Sequence, residues 1–195
     1  MLYASLRIAV RGFFSFFYRW KVEGVHHIPE EGPVVICANH ISNLDPPLLG
    51  AAVQRKVHFM AKQELFRIPL FSLLIRALGA FPVKRGSGDL HALKQALQIL
   101  RENKMLGIFP EGTRSRDGKL GRAHTGAALI ALKAGAPVVP TAIIGPYRLF
   151  RPVQIVFGQP IDVTPLTKGK IGTKEAAALT DLIMNEIQRL IDQHR

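Results

Sequence analysis

The most constraining feature of the sequence is a short, wholly apolar run at residues 34–38 that ends abruptly in the polar segment NHISNLD at residues 39–45. A run of this length that is rich in β-branched residues and follows a Gly-Pro pair predicts a buried strand. Asp45 directly precedes Pro46, the order expected where a carboxylate caps a helix and proline takes its first position. We therefore predict a strand-to-helix turn at the carboxyl edge of a sheet, where α/β proteins bind ligands.

Alternation of strand-like and helix-like segments continues along the chain. Further strands are predicted at 57–61, 79–83, 105–109, 138–144 and 153–157, and helices at 46–54, 89–103, 125–134 and 174–194. This alternation predicts an α/β fold with a central, mostly parallel or mixed sheet flanked by helices. Leu90 and Leu182 are expected to face the core, and the apolar segment 65–78 is expected to be a broken helix that also packs in the core, with the membrane or an acyl pocket as alternatives.

The N-terminal segment has the pattern of a basic amphipathic helix. Leu6, Phe13 and Phe17 recur at helical spacing, and Arg7 and Arg11 are predicted to line the opposite side. Aromatic residues on the apolar side of a cationic helix are typical of a segment that lies in a membrane interface. The alternative is a helix that packs its apolar side on its own domain. We thus expect a membrane-associating segment at 1–21 and a catalytic domain at 22–195, since 195 residues with 48% hydrophobic content suffice for one core.

The net charge of +12 predicts a polyanionic partner, which could be nucleic acid, an anionic membrane or a phosphorylated ligand. No zinc-finger spacing, RNP-like motif or helix-turn-helix signature occurs, so nucleic acid is not expected. The pair His26 and His27 has no cysteine or carboxylate at ligand spacing, so no metal site is expected. Cys37 is the single cysteine, which excludes an intrachain disulfide and suits a reducing compartment.

His40 and Asp45 lie on the same predicted turn, so the carboxylate can accept a hydrogen bond from one ring nitrogen and leave the other to act as a base. A substrate that brings its own hydroxyl then needs no protein nucleophile. The alternative is that both residues serve only as turn and cap. Covalent catalysis by Cys37 is disfavoured, because regular alternation along the strand would point Cys37 and His40 to opposite faces of the sheet.

Cationic side chains follow two other predicted strands. Lys62 ends the strand at 57–61 and is either a surface charge or an anion ligand. The loop FPEGTRSRDG at 109–118 combines glycines with arginines, so its backbone can approach a ligand and its guanidinium groups suit phosphate. A plain surface loop is the alternative for this stretch. Backbone amides near Asn39 or Gly112 are candidates for stabilising an oxyanion.

These blocks resemble the glycerolipid acyltransferases, and most closely the 1-acyl-glycerol-3-phosphate (lysophosphatidate) acyltransferases. The resemblance covers residues 22–144. It is carried by NHISNLD, with the family's His, four residues, Asp pattern, by GAFPVKR at 79–85, by FPEGTRSRDG and by VPTAI at 139–143, all in the family's order.

The resemblance implies a general base, His40, oriented by Asp45. It implies that the phosphate-bearing acceptor is held by the residues Lys62, Arg85, Glu111, Gly112 and Arg114. The implied reaction moves an acyl group from acyl-CoA or acyl carrier protein, which act as co-substrates, to the sn-2 hydroxyl of lysophosphatidate. No prosthetic cofactor is expected. The implied location is the cytoplasmic face of the cell membrane, with peripheral or monotopic attachment to an anionic surface.

Two alternatives to this function stay open. Glycerol-3-phosphate or another lysophospholipid could be the acceptor, because arginines favour a phosphate without specifying what is attached to it. A non-catalytic, basic module that binds membrane or nucleic acid is the alternative from another class of protein. Such a module would tolerate the loss of His40, whereas an enzyme would lose turnover.

Overall fold

The computed structural model describes residues 2–84, 89–115 and 117–195. Arg85 lies outside these residues, so its role in acceptor binding stays a prediction. The strands of the described part are β1 (Lys21–Glu23), β2 (Val34–Ala38), β3 (Val57–Lys62), β4 (Ala80–Val83), β5 (Met105–Ile108), β6 (Val138–Ile144) and β7 (Gln154–Phe157). Its α-helices are α1 (Leu2–Tyr18), α2 (Asp45–Ala52), α3 (Pro69–Ala77), α4 (Leu90–Arg101), α5 (Gly126–Ala134) and α6 (Thr173–His194).

One sheet contains all of these strands, in the order β1-β7-β6-β2-β5-β3-β4. Neighbouring strands run parallel except β6 and β7, which pair antiparallel. The predicted buried strand is β2, which lies at the centre between β6 and β5. The prediction of a mostly parallel or mixed sheet flanked by helices is therefore confirmed. Since β2, β3, β4 and β5 run in the same direction, the turns that follow them collect at one edge of the sheet.

Alternating residues of β2 divide the core into two layers. Val34, Ile36 and Ala38 pack with α1 and α2 on one face of the sheet. Val35 and Cys37 point to the other face, which α4, α5 and α6 cover. A strand that is buried on both faces needs apolar residues at every position, and this explains why residues 34–38 are all apolar.

Helix α1 packs on α2 through a face that is rotated from the predicted one but still includes Phe17. Phe14 and Tyr18 are buried, whereas Phe13 is exposed. Arg7 and Arg11, which we predicted to line the side opposite to the packed one, donate hydrogen bonds to carbonyl groups at the end of α2. Carbonyl groups at a helix end lack partners within the helix and attract cations, so this contact outweighs the simple amphipathic pattern.

The segment 65–78 is a broken helix as predicted, with a 3-10 turn at Gln63–Arg67 followed by α3. Its expected packing in the core is wrong, because no side chain of α3 is buried. The prediction that Leu90 and Leu182 face the core is also wrong, because both side chains are exposed, on α4 and α6 respectively. Within the described residues, no helix combines the length and apolar character needed to cross a bilayer.

Candidate functional site

The turn at residues 39–45 leaves the carboxyl end of β2 and brings His40 against Asp45. The Nδ1 atom of His40 lies 2.7 Å from Oδ2 of Asp45. A carboxylate only accepts hydrogen bonds, so this contact holds the proton on Nδ1 and leaves a lone pair on Nε2. Nε2 makes no hydrogen bond to a described residue, and 11% of the His40 side chain is exposed to solvent. The pairing predicted from the sequence is therefore present, with the second ring nitrogen available to a substrate.

Asp45 is completely buried, and four donors hold its carboxylate. Besides His40, the backbone amides of Ile41 and Ser42 each donate to Oδ2 at 2.7 Å. The Tyr147 hydroxyl donates to Oδ1, also at 2.7 Å. The Asp45 carboxylate points back toward residues 40–42, so it does not cap α2, and this part of the prediction is wrong. Asp45 is instead the first residue of that helix. Its side chain is fixed as a partner of the imidazole.

Tyr147 is a part of the site that the sequence analysis missed. Burial, together with the neighbouring charge of Asp45, raises the pKa of the Tyr147 hydroxyl far above its ordinary value. The hydroxyl therefore stays protonated and acts as a donor to the carboxylate. The Tyr147 ring packs edge-on against Tyr18 of α1, with 5.8 Å between the ring centroids. The only signal in the sequence was a polar aromatic residue just beyond a predicted strand.

The loop after β5 forms hydrogen bonds with the backbone of His40. The amide of His40 donates to Oε1 of Glu111 at 2.8 Å, and the carbonyl of His40 accepts from the amide of Ser115 at 2.8 Å. Glu111 is buried, and its second oxygen accepts from the amide of Gly121 at 2.8 Å. The Phe109 ring stacks on the imidazole at 4.2 Å between centroids. Glu111 thus reaches His40 directly, whereas its predicted contact with the acceptor stays a prediction.

Neighbouring polar groups of the turn are engaged elsewhere. The side-chain amide of Asn39 forms a reciprocal pair with the backbone of Ile143, with distances of 2.9 and 2.7 Å. This pair ties the turn to β6. The amide of Gly112, one of the candidates for stabilising an oxyanion, donates to the Phe109 carbonyl at 3.0 Å. Gly112 adopts a left-handed conformation with φ 64°, which accounts for a glycine at this position.

An open cleft of about 360 Å³ lies in the loop after β5, and two of its lining residues, Glu111 and Ser115, bond to the His40 backbone. It is lined by Glu111, Thr113, Arg114, Ser115, Asp117, Lys119, Leu120, Gly121 and Arg122. Three of these side chains are cationic and exposed. The two carboxylates of the lining already accept hydrogen bonds from the protein, Glu111 from backbone amides and Asp117 from Ser115 and Lys119, so the cations remain for an anion. The loop that carries Arg114 also bonds to the His40 backbone, so the predicted base and one predicted phosphate ligand lie on contacting segments of the chain.

Lys62 lies at the same edge of the sheet but farther from the base. It ends β3, and β5 separates β3 from β2. Two strand spacings correspond to about 10 Å between the strand backbones, a span that a lysine side chain and a lipid headgroup can bridge together. Lys62 is exposed. The structure therefore leaves both interpretations of Lys62, surface charge and anion ligand, compatible with its position.

Cys37 does not belong to the site. It is completely buried in the layer with α4, α5 and α6, on the face of the sheet opposite to Phe109 and its partner His40. Burial raises the pKa of the Cys37 thiol to about 12. A neutral thiol in an apolar environment is a poor nucleophile. The prediction that Cys37 is a core residue is in agreement with this position.

Comparisons with known proteins match this chain to one family. A family model described as Acyltransferase matches residues 19–144, which include both the His40 turn and the loop after β5. The 1-acyl-sn-glycerol-3-phosphate acyltransferase of Bacillus subtilis is 32% identical over 178 residues, which is 87% of this chain and 87% of that protein.

Two further similarities concern a plant protein and a solved structure. The chloroplastic 1-acyl-sn-glycerol-3-phosphate acyltransferase LPAT1 of Arabidopsis thaliana is 34% identical over 132 residues, and the chain spans only 37% of its length. The crystal structure of the 1-acyl-sn-glycerophosphate acyltransferase PlsC from Thermotoga maritima superposes with a TM-score of 0.77 at 29% identity. That match covers 99% of this chain and 80% of the other.

Proposed function

Since the chain belongs to the acyltransferase family, we propose that it moves a fatty acyl group to the sn-2 hydroxyl of 1-acyl-glycerol-3-phosphate and so produces phosphatidic acid. The donor is acyl-CoA or acyl carrier protein, used as a co-substrate. The observation that carries the proposal is the 2.7 Å contact between His40 and the buried Asp45, on a turn that bonds to the loop with the cationic cleft. An oriented imidazole and an anion site are the two parts that this reaction needs.

The chemical step begins at Nε2 of His40. This nitrogen takes the proton of the acceptor hydroxyl while the hydroxyl oxygen attacks the carbonyl carbon of the thioester. The carbon–sulfur bond then breaks, and the thiolate leaves with the proton that the imidazolium returns. Asp45 stabilises the imidazolium during transfer, and Tyr147 keeps the carboxylate in place. The acceptor supplies the nucleophile, so no acyl-enzyme intermediate forms.

The phosphate group of the acceptor orients its hydroxyl toward the base. Arg114 and the other cations of the cleft bind the phosphate, with Lys62 contributing from the end of β3 and Arg85 as a further phosphate ligand. Gly112 lets the loop backbone approach the headgroup closely, and Glu111 holds the loop against His40. Fixing both reactants in this way lowers the entropic part of the barrier, which is a large share of catalysis in bimolecular reactions.

The lipid acceptor places the reaction at a membrane. We propose peripheral attachment at the cytoplasmic face, where anionic lipids attract a chain of net charge +12. No prosthetic group takes part in the proposed reaction. The segment 1–21 would contribute to attachment and the domain 22–195 to catalysis.

A transfer assay with the purified chain tests this function. Radiolabelled acyl-CoA or acyl carrier protein is supplied with lysophosphatidate, and with glycerol-3-phosphate and lysophosphatidylcholine as alternative acceptors. Labelled phosphatidic acid, formed fastest from lysophosphatidate, is the expected product. Faster transfer to another acceptor would favour the first alternative. If no acceptor and donor pair gave a labelled lipid, the proposal would be wrong and a non-catalytic module would be favoured.

A further inference from the structure

Helix α3 presents an apolar surface that nothing in the described chain covers. Leu70 is 84% exposed and Leu73 is 69% exposed, and Ile68, just before the helix, is also exposed. The inner side of the helix rests against β4 at the edge of the sheet. Monomeric soluble proteins seldom expose large contiguous apolar patches, and such patches usually mark a site of interaction with a protein, ligand or membrane. The exposed surface of α3 is therefore expected to bind a partner.

The end of α3 lies near the start of α1. Lys56 connects the two helices: its Nζ atom donates to the Ala77 carbonyl at the end of α3 at 2.9 Å, and it lies 5.4 Å from the centre of the Tyr3 ring near the start of α1. The outward side of α1 carries the exposed residues Ile8 and Phe16. The end of α3 and the start of α1 therefore contact the same lysine side chain.

A third apolar element lies at the other end of α1. Leu149 and Phe150 are exposed on the loop after β6, and the amide of Phe150 donates to the Phe17 carbonyl at 2.6 Å. We call the surface formed by α3, the outward side of α1 and residues 148–151 the apolar belt. Tyr18, at the end of α1, contacts Tyr147, whose hydroxyl holds Asp45. The belt thus extends to the edge of the site.

Charge identifies what covers the belt. The belt and the residues that flank it, 1–22, 65–84 and 145–153, contain nine Lys and Arg residues and no Asp or Glu. Two of the nine, Arg7 and Arg11, contact the end of α2, and the other seven can face a partner. Arg67 and Arg76 are exposed beside the α3 leucines, and Arg148 and Arg151 flank the loop. A second copy of this chain would bring like charges together across the contact. An anionic bilayer offers both the apolar interior and the complementary charge.

We propose that the apolar belt is the membrane-docking surface of this protein, with α3 as an inserting element in its own right and α1 as its neighbour. Docked in this way, the edge of the site that holds Tyr147 lies next to the lipid surface. This inference rests on the proposed function only in assuming that the lipid acceptor reaches the site from the membrane. Binding of the belt to a bilayer does not require acyl transfer.

Vesicle sedimentation with the full chain tests the proposal. The variant Leu70→Ser/Leu73→Ser removes two exposed side chains of α3, and Leu90→Ser is the matched control because Leu90 is also 69% exposed but lies on α4, across the sheet. Vesicles of phosphatidylglycerol and phosphatidylcholine are compared with phosphatidylcholine alone. We expect the double variant to bind the anionic vesicles at least ~10-fold more weakly, and the control to bind as the unaltered chain does.

Three results would overturn the docking surface. They are unchanged binding by the double variant, equal binding to both kinds of vesicle by the unaltered chain, and a concentration-dependent dimer that the double variant abolishes in gel filtration. Transfer to a dispersed short-chain lysophosphatidate separates this proposal from the proposed function. If that transfer is absent, the proposed function fails while the vesicle result stands. If it is retained in a double variant that no longer binds vesicles, docking and catalysis are separate properties.

Discussion

Replacing Asp45 by asparagine preserves the shape of the side chain and removes its charge. In the proposed reaction His40 becomes an imidazolium at 2.7 Å from the carboxylate oxygen, which puts the charge centres about 4 Å apart. At an effective dielectric constant of about 20, this pair interacts by about 4 kcal/mol. Loss of that stabilisation raises the barrier and lowers kcat about a thousandfold. The KM for lysophosphatidate is expected to change little, because the cleft is left intact.

The assay is steady-state transfer from acyl-CoA to lysophosphatidate, with thermal unfolding measured in parallel to verify that the variant folds. Asp181→Asn, on the exposed side of α6, is the matched control. Tyr147→Phe removes one of the four donors to the same carboxylate but retains its charge, so we expect a loss of stability of about 1.5–3 kcal/mol and a much smaller decrease in kcat. A folded Asp45→Asn variant with more than a tenth of the original kcat would refute the reasoning.

Three further predictions concern the core thiol and the loop after β5. Cys37→Ala is expected to retain most of the transfer activity, since burial raises the pKa of this thiol to about 12, and an inactive folded variant would restore covalent catalysis as an explanation. Arg114→Ala should raise the KM for lysophosphatidate about tenfold or more through lost charge-assisted hydrogen bonds, and Arg101→Ala on α4 should leave it unchanged. Gly112→Ala and Gly118→Ala, at φ 64° and 72°, should each lower the free energy of unfolding by about 1–2 kcal/mol. Only Gly112→Ala should also lower kcat/KM. Equal kinetic effects of the two variants would count against a special role for Gly112.

Local features of the fold were predictable from the sequence because their causes are local. Asp89 caps α4 by accepting hydrogen bonds from two amides of its first turn, and Gly135 ends α5 at φ 61°, in agreement with the helix boundaries predicted at 89 and 134. The orientation of α1 was not predictable from its own residues. Arg7 and Arg11 turn toward carbonyl groups of α2, about forty residues away in the chain. Helical periodicity cannot anticipate a partner of this kind, and the exposed α3 was missed for the same reason.

In the candidate site, too, contacts between residues near in sequence were predictable and contacts between distant residues were not. The contact between His40 and Asp45 spans five residues and was predicted from their spacing on one turn. The family resemblance of the four sequence blocks is confirmed by the match to the acyltransferase family. The hydroxyl of Tyr147 reaches Asp45 from 102 residues away, and Glu111 holds the His40 amide from 71 residues away. Such contacts depend on the order of strands in the sheet, which single-sequence patterns do not encode.

Replacing His40 by alanine tests most directly whether an oriented imidazole carries out the transfer. The variant is compared with the unaltered chain for formation of phosphatidic acid and for binding to anionic vesicles, with thermal unfolding as the control for folding. We expect transfer to fall by at least ~10²-fold, the lower range for general-base catalysis, while vesicle binding is unchanged. Near-normal transfer by a folded His40→Ala variant would contradict the assignment of His40 as the base.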